Sequence, residues 1–578
     1  MDKVKNYIKE NYREIIIITV ITLLALVLRL ILLSNYGDLW LDELYSWYFA
    51  NQKTGFGTVW ELLKQDLHMP VYFVILHFWM KVFGKSDISM HLCTLVLTVP
   101  LIPIAYYSMK YLFNKTAGYF AAILLAINTF GVYYSIEVRF YGLVFVLSLL
   151  SAVFFVKMLE NFDKKYTAAF LATHLLLMYT FSITPLLTFC YGLVGLMHVI
   201  LNKKEFLKKY FKVFGIIAAA ALPAVIFIIY NMIVMHKYAL CSFSKDIYVF
   251  SWRVIFDIFE NFFANENYQL FTGNINSYRI LTENLRNGIY SVFVGVPVLI
   301  GLIGLTKSFF SQNKNIKLFL YPSLLFLVLS LMLASTGLIS FLTRYASIIY
   351  SILICSACVG LAQIKWKHLG IILLVVAINI NYAYIFVSKN NIFQNRKKEL
   401  GNLTYFMENV IKPEDDDLIL IPYSGSKVMK YVPKGKLIHF FADDALLLKD
   451  SESRTFYFDD KFYTLLNREN IKKELNEYVL SDKPFILYQI RLKDFYFDNM
   501  KKGQKFIIIS YRDNFILPLV LNWDALLNSE FYENTNLFIF LMAKMTRDSI
   551  QVANMYLKSL GAYYDGEYGY SVYVFEKQ

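Results

Sequence analysis

The stretch Gly37-Asp-Leu-Trp-Leu-Asp-Glu-Leu-Tyr-Ser-Trp-Tyr-Phe-Ala50 places two adjacent carboxylates, Asp42 and Glu43, among aromatic side chains. It follows an apolar run over residues 15–33, which is long enough for a helix to cross about 30 Å of hydrocarbon. A charged leader precedes this run and no small-residue cleavage site follows it, so we expect an uncleaved first span with a cytoplasmic N-terminus. The acidic pair is therefore predicted at the mouth of a membrane span.

The composition indicates a polytopic membrane protein. Of 578 residues, 57% are hydrophobic and 17% are charged, and the mean hydropathy is +0.46. Soluble domains carry about 25% charged residues. The five cysteines show no zinc-ligand spacing, and four of them lie in apolar segments. We therefore predict neither a disulfide framework nor a structural zinc site of thiolates.

Eleven apolar windows are long enough to span a bilayer. They cover residues 15–33, 88–110, 116–133, 141–158, 166–181, 183–201, 211–234, 288–306, 317–338, 345–362 and 369–388. A further apolar stretch, residues 71–84, is too short to span and contains His77, Trp79 and Lys81, so we predict a helix in the membrane interface. Counting this stretch as a span would reverse the predicted side of the membrane for every later loop.

The basic residues fall on alternate loops. With a cytoplasmic N-terminus, the Lys-rich segments all lie inside, as the positive-inside rule requires. The formal net charge of +13 is then mainly a consequence of topology, and nucleic-acid binding loses its support. We predict that the outer side of the membrane holds residues 34–87, 134–140, 235–287 and 339–344, and everything beyond 389.

The composition changes after Ser388. The segments DDDLILIP, KPFILYQI, KFIIISYR and YSVYVFEK have the pattern of short buried strands, and NRKKELGNLTYFMENVI and DSIQVANMYLKSLGA have helical spacing. Such alternation favours a small α/β domain. We therefore predict a multi-pass, α-helical domain in the cell membrane over residues 1–388, followed by an extracytoplasmic α/β domain over residues 389–578.

Three predicted outer loops bring charged and aromatic side chains to a similar depth. They are Asp42, Glu43 and His68 on the first loop, Glu137, Arg139 and Tyr141 on or beside the second, and Arg344 and Tyr345 at the third. Each has an ordinary explanation: acidic residues often start or cap a helix, and arginines near span ends, including Arg29, often snorkel to the surface. Gathered on one membrane face, they indicate a functional site.

These residue types suit transfer of a sugar from a polyprenyl phosphate. A carboxylate can remove the proton from an acceptor hydroxyl. Arginine, histidine or a divalent cation can stabilise the departing phosphate, which is already a good leaving group. A base on one loop and cations on others, all at the level of lipid headgroups, fit this reaction.

The segment LRLILLSNYGDLWLDELYSWYFA resembles the first span and Asp-Glu loop of membrane glycosyltransferases with the GT-C fold. Within that group it is most similar to the bacterial branch of family 39, which contains protein mannosyltransferases and the lipid A aminoarabinose transferase. Four further segments match in order: HMPVYFVILHFWMKVFG, YYSIEVRFYGLVFVLSLLS, FLTRYASIIYSIL and SVYVFEK. The resemblance covers residues 1–200 and 290–390, and the C-terminal domain only in general form.

This resemblance implies an inverting enzyme with one role for each matched residue. Asp42 would be the catalytic base, Glu43 its partner toward acceptor or metal, and Glu137 the carboxylate of the second loop. His68, Arg139 and Arg344 would face the lipid phosphate, and Tyr141 and Tyr345 would orient or pack. A divalent cation (Mg, Mn or Zn) could be held by the three carboxylates, although metal dependence varies across the family.

Two departures from the family pattern stand out: Met69-Pro70 replaces Pro-Pro, and His91 replaces an arginine, so His91 would hold phosphate only when protonated. The sequence does not identify the sugar, and the acceptor can be a protein, lipid or glycan of the cell envelope. We predict that residues 235–287 and the C-terminal domain select the acceptor. The alternatives are a lipid-linked sugar flippase or transporter, which predicts midplane charges and inverted repeats, and a non-catalytic membrane protein.

Overall fold

The computed structural model divides the chain into two compact units. The first contains Met1–Asn35, Phe49–Ile233 and Ser244–Ile392, and the second contains Tyr36–Tyr48, Val234–Phe243 and Phe393–Gln578. The structure describes residues 2–35, 39, 41–65, 68–237, 252, 254–263, 288–336, 341–364, 403–404, 407–420, 430, 432, 434–438, 492–511, 537–565 and 570–578. The predicted eleventh span (369–388) and the predicted domain boundary at 388/389 lie outside these residues.

Within the described part of residues 2–361, the α-helices in chain order are α1 Asp2–Asn35, α2 Leu41–Ala50, α3 Gly55–Gln65, α4 Val71–Phe83, α5 Asp87–Thr98, α6 Leu101–Leu112, α7 Lys115–Ile127, α8 Thr129–Tyr134, α9 Tyr141–Asn161, α10 Lys164–Met178, α11 Thr184–Asn202, α12 Leu207–Lys237, α13 Val254–Phe263, α14 Gly288–Phe309, α15 Lys314–Ser335 and α16 Ser347–Leu361. A 3₁₀ turn, Thr343–Ala346, leads directly into α16. We call it the arginine turn, because it carries Arg344.

Seven stretches of the described helices are long and apolar enough to cross a membrane. They are Glu10–Ser34, Asp87–Leu112, Tyr141–Asn161, Thr184–Asn202, Lys204–Tyr230, Lys314–Ser335 and Thr343–Leu361. Each coincides with a predicted window. The predicted window 116–133 is not one continuous helix, because Asn128 ends α7 and accepts a hydrogen bond from the Gly131 N–H as the N-cap of α8. The predicted short helix at 71–84 is α4.

The Lys-rich segments of the first unit meet at one end of the bundle. Lys157 lies 4.1 Å from the centroid of the Tyr111 ring. The Asn315 side chain donates to the Glu160 carboxylate at 3.1 Å, and Lys314 donates to the side-chain oxygen of Asn202 at 2.7 Å. Four connecting segments from different parts of the sequence therefore share this end. Which side of the membrane it faces stays a prediction.

The sequence predicts that Arg29 snorkels to the membrane surface, but in the structure its side chain stays inside the protein. Its side chain is only 1% exposed, and its guanidinium group donates to the carbonyl oxygens of Ala126 at 2.8 Å and Leu125 at 3.1 Å. These are last-turn carbonyls of α7, which have no donor within their own helix. Arg29 therefore ties α1 to the end of α7.

In the described residues of the second unit, five strands form a mixed sheet in the order β2-β1-β3-β5-β4. Its strands are β1 Leu418–Leu420, β2 Lys436–Ile438, β3 Lys505–Tyr511, β4 Lys558–Asp565 and β5 Tyr570–Glu576. Strands β1, β3 and β5 lie in three of the segments predicted as strands; the fourth, KPFILYQI, lies outside the described residues. The predicted helix DSIQVANMYLKSLGA is right only up to Tyr556, where helix α17 (Leu537–Tyr556) ends. The remainder is wrong because β4 pairs antiparallel with β5.

Helices α14 and α16 pack backbone against backbone at Gly304 and Gly360. A Cβ atom at Gly360 would lie 1.8 Å from the Gly304 carbonyl oxygen. We expect Gly360→Ala to lower the free energy of unfolding by about 1–3 kcal/mol, because the two helices must move apart. Thermal unfolding in detergent measures this. Gly295→Ala in α14, where an added Cβ meets nothing within 4 Å, is the control; equal losses in both variants would contradict the packing.

Candidate functional site

The loop between α8 and α9 holds two of the predicted charged residues, Glu137 and Arg139. Every residue of this loop is buried. The Ile136 N–H donates to the Tyr133 carbonyl at 3.1 Å, and the Ile136 carbonyl lies 2.6 Å from Nδ1 of His91 on α5. The loop is thus fixed from both sides. Since burial removes a charge from water, both ionised groups must be compensated by protein groups or by a ligand.

Arg139 contacts His68 directly. These two residues lie on different predicted outer loops, so the contact brings the two loops together. Arg139 Nη2 lies 2.8 Å from His68 Nε2. A guanidinium group can only donate, so the imidazole accepts at Nε2 and is neutral in this arrangement. Phe140 lies beside both groups: its ring centroid is 5.3 Å from the centroid of the His68 ring and 5.3 Å from Arg139 Cζ.

The arginine turn completes the group. Arg344 Cζ lies 5.8 Å from the centroid of the neighbouring Tyr345 ring, and both side chains are half-buried. The hydroxyl of Tyr141, at the start of α9, interacts electrostatically with Arg344, Arg139, Tyr345 and Glu137. The structure therefore brings together six of the eight predicted site residues, which we call the charged cluster. They are His68, Glu137, Arg139, Tyr141, Arg344 and Tyr345.

The charged cluster favours an anionic ligand. It holds two guanidinium groups and one carboxylate, and with His68 neutral this leaves one net positive charge. Guanidinium groups bind phosphate in a bidentate manner and stay protonated at any physiological pH. Low-dielectric surroundings strengthen such contacts relative to water. Arg344, which is more exposed than Arg139, is the more accessible of the two cations.

The remaining two predicted residues, Asp42 and Glu43, lie in the first turn of α2 and belong to the second unit. Both are favourably placed for a negative charge, since a helix N-terminus is the positive end of its dipole. Their exposures differ: Glu43 is fully buried, whereas Asp42 is half-buried. The ordinary explanation, an acidic residue in water at the start of a helix, therefore does not apply to Glu43. Of the pair, only Asp42 has a surface that a substrate could reach.

The structure adds no support for the predicted metal site. Within the described ranges, no group of three or more His, Cys, Asp or Glu side chains is arranged to hold a metal ion. The charged cluster itself contains one carboxylate and one imidazole, and that imidazole accepts a hydrogen bond from Arg139.

His91 contacts the loop that carries Glu137, since its Nδ1 lies 2.6 Å from the Ile136 carbonyl oxygen. Whether it also holds phosphate stays a prediction. Sequence reasoning also missed Asn128, whose side chain joins α8 to other elements. Its sequence signal is the pair Asn128-Thr129 inside the apolar window 116–133, because both residue types favour the start of a helix. Sequence reasoning could have found this signal.

One family model matches part of the chain. Residues 67–244 match the family of dolichyl-phosphate-mannose-protein mannosyltransferases. This range contains His68, Glu137, Arg139 and Tyr141. No curated protein matches the sequence.

Solved structures share the fold across nearly the whole chain. The crystal structure of ArnT from Cupriavidus metallidurans in the apo state aligns with a TM-score of 0.53 at 9% identity, covering 98% of each chain. The same protein bound to undecaprenyl phosphate aligns with a TM-score of 0.52 at 10% identity, covering 96% of this chain and 97% of that one. The oligosaccharyltransferase of Archaeoglobus fulgidus in complex with Zn and sulfate gives a TM-score of 0.46 at 12% identity, covering 97% and 88%. The predicted GT-C membrane fold, with its small C-terminal sheet, is confirmed.

Replacing His68 with Leu removes a hydrogen-bond acceptor of the buried Arg139 guanidinium. We expect binding of a polyprenyl phosphate, the ligand predicted from the sequence, to weaken about 10- to 100-fold, since a hydrogen bond to a charged group contributes about 1.5–3 kcal/mol. His68→Gln keeps an acceptor and should retain most of the affinity. Titration of the purified protein with undecaprenyl phosphate measures both.

The control is His77→Leu, which removes a buried histidine outside the charged cluster. The Nδ1 atom of His77 lies 2.9 Å from the Ala50 carbonyl oxygen. This variant should change stability and leave phosphate affinity as it was. If it weakened binding as much as His68→Leu, the loss could not be ascribed to the His68–Arg139 pair.

Proposed function

We propose that the protein is an inverting glycosyltransferase that moves a sugar from a polyprenyl-phosphate donor to an acceptor hydroxyl or amine at the outer face of the membrane. The observation that carries the proposal is the charged cluster. Two arginines from separate elements converge there beside a histidine and two tyrosines, at one end of a membrane bundle. The matched family transfers mannose from a lipid phosphate, and ArnT of the same fold binds undecaprenyl phosphate.

In the proposed reaction the charged cluster binds the phosphate of the donor. Arg344 and Arg139 hold the phosphate oxygens and stabilise the charge that develops as the bond from the sugar to phosphate breaks. His68 orients Arg139 through the 2.8 Å hydrogen bond. Tyr345 lies beside Arg344, and the hydroxyls of Tyr141 and Tyr345 can donate to a phosphate oxygen.

Asp42 is the proposed general base. Its half-buried carboxylate takes the proton from the acceptor while the acceptor oxygen or nitrogen attacks the anomeric carbon, and the phosphate leaves from the opposite face. One displacement of this kind inverts the configuration. The buried Glu43 positions Asp42 or the acceptor.

The proposed partners follow from this chemistry: a polyprenyl-phosphate-linked sugar, membrane lipids, and a glycan, lipid or protein acceptor of the cell envelope. Residues 235–287 and the C-terminal domain are the proposed regions of acceptor choice. The described part of the former, α13, packs against the arginine turn, which supports a place beside the donor phosphate.

Asp42→Asn should lower the rate of transfer about 100- to 10,000-fold, the usual contribution of a general base, while leaving membrane insertion intact. The measurement is release of undecaprenyl phosphate from a panel of undecaprenyl-phosphate-linked hexoses and aminopentoses, with cell-envelope extract as acceptor. Asp87→Asn is the matched control, because Asp87 also lies in the first turn of a helix. A flippase would release no undecaprenyl phosphate and would keep most of its flux after Asp42→Asn, and that result would exclude the proposal.

The proposed orientation places Asp42 on the outer side of the membrane. A cysteine introduced at position 42 in a Cys241→Ser background should react with a membrane-impermeant maleimide added to intact cells, because the other four cysteines are buried. Reaction only after the cells are opened would place the acidic pair in the cytosol and overturn the assignment.

A further inference from the structure

A buried amide joins three elements around the charged cluster. The Oδ1 atom of Asn128 accepts hydrogen bonds from the Gly131 N–H at 3.1 Å and from the Tyr350 hydroxyl at 2.7 Å, and its Nδ2 atom donates to the Phe262 carbonyl at 2.7 Å. Asn128 is 0% exposed, and so are Tyr350 and Phe262. One side chain thus connects α8, α13 and α16 through three hydrogen bonds away from water.

Aromatic packing encloses this amide. The ring centroids of Phe130 and Phe262 are 5.0 Å apart, and that of Tyr350 lies 5.0 Å from Phe130 and 5.1 Å from Phe262. The close approach requires a glycine at 131, since a Cβ atom there would lie 2.5 Å from the Tyr350 hydroxyl oxygen. An apolar enclosure makes each broken bond costly, because no water can replace the lost partner.

Each of the three elements leads to, or contacts, the charged cluster. Helix α8 continues directly into the loop with Glu137 and Arg139. The arginine turn leads directly into α16, so Arg344 lies six residues before Tyr350. Helix α13 packs against the arginine turn and belongs to the segment proposed for acceptor choice. One amide therefore bonds all three elements that surround the charged cluster.

We infer that Asn128 is a positioning residue for the transfer reaction. It holds the loop between α8 and α9, the arginine turn and helix α13 at fixed distances from one another, so that the acceptor and the donor phosphate meet. The inference rests on the proposed function for its catalytic part. Its structural part, the fixed spacing of α13, stands independently. Asn128 touches no substrate and acts only through the elements that it joins.

The test separates these two parts by two readouts. The first is the distance between spin labels at Phe256→Cys on α13 and Val82→Cys on α4, both of which are highly exposed positions, in a Cys241→Ser background. The other four cysteines are buried. The second is the Kd for undecaprenyl phosphate together with kcat and KM for transfer.

Asn128→Ala should broaden the distance distribution, and Tyr350→Phe, which removes one of the three bonds, should broaden it less. Donor Kd should rise and kcat should fall, each about 5- to 30-fold for Asn128→Ala, the factor that corresponds to one or two kcal/mol. The double variant should be no worse than Asn128→Ala, because the two side chains act through one bond.

The matched control is His174→Leu, which breaks a comparable buried network: His174 bonds Ser151 at 2.9 Å and Thr188 at 2.8 Å, between α9, α10 and α11. It should lower stability without changing the label distance, Kd or kcat at temperatures below unfolding. An unchanged distance in Asn128→Ala would overturn the inference, and so would a broadened distance with unchanged Kd and kcat. If the native protein transfers no sugar at all, the proposed function fails, and the distance measurement still decides whether Asn128 fixes α13.

Discussion

The bundle is governed by one constraint: hydrocarbon offers no hydrogen bond, so every polar group within the bilayer must be satisfied by the protein. The end of α7 shows how this constraint positions a site. Its last carbonyls are satisfied by Arg29 from α1, and the chain then restarts as α8 from Asn128. Because the break between the two helices is fixed on both sides, the loop that follows α8 begins at a defined place, and with it the buried Glu137 and Arg139.

The chemistry of the charged cluster follows from how its cations are held. Arg139 is buried and bonded to a histidine, whereas Arg344 is half-buried on a short 3₁₀ turn. One arginine is thus immobilised in advance and the other keeps a surface for a ligand. Preorganised charge of this kind stabilises a transition state without reorganisation during the reaction. The acidic pair shows the same division, with Glu43 buried and Asp42 accessible.

Much of this was predictable because membrane spans and buried strands leave strong local patterns. The span windows, the strands around Ile419, Ile507 and Val574, and the meeting of the second and third charged loops all follow from apolar runs and from charges at their ends. The features that were missed depend on distant contacts. Nothing local distinguishes an arginine that caps a neighbouring helix from one that snorkels, and strand β4 looks helical until its pairing with β5 is known.

Helix α9 sets the vertical position of the site. From Tyr141 beside the charged cluster to Lys157 at the Lys-rich end, sixteen residues rise about 24 Å, which is less than the roughly 30 Å of a hydrocarbon core. The last turn of α9, up to Asn161, brings the whole helix to about 32 Å, so α9 matches the hydrocarbon thickness only when its Lys-rich end is included. In the proposed reaction, a thicker bilayer would therefore raise the elastic cost of bringing the donor's headgroup to the arginines of the charged cluster.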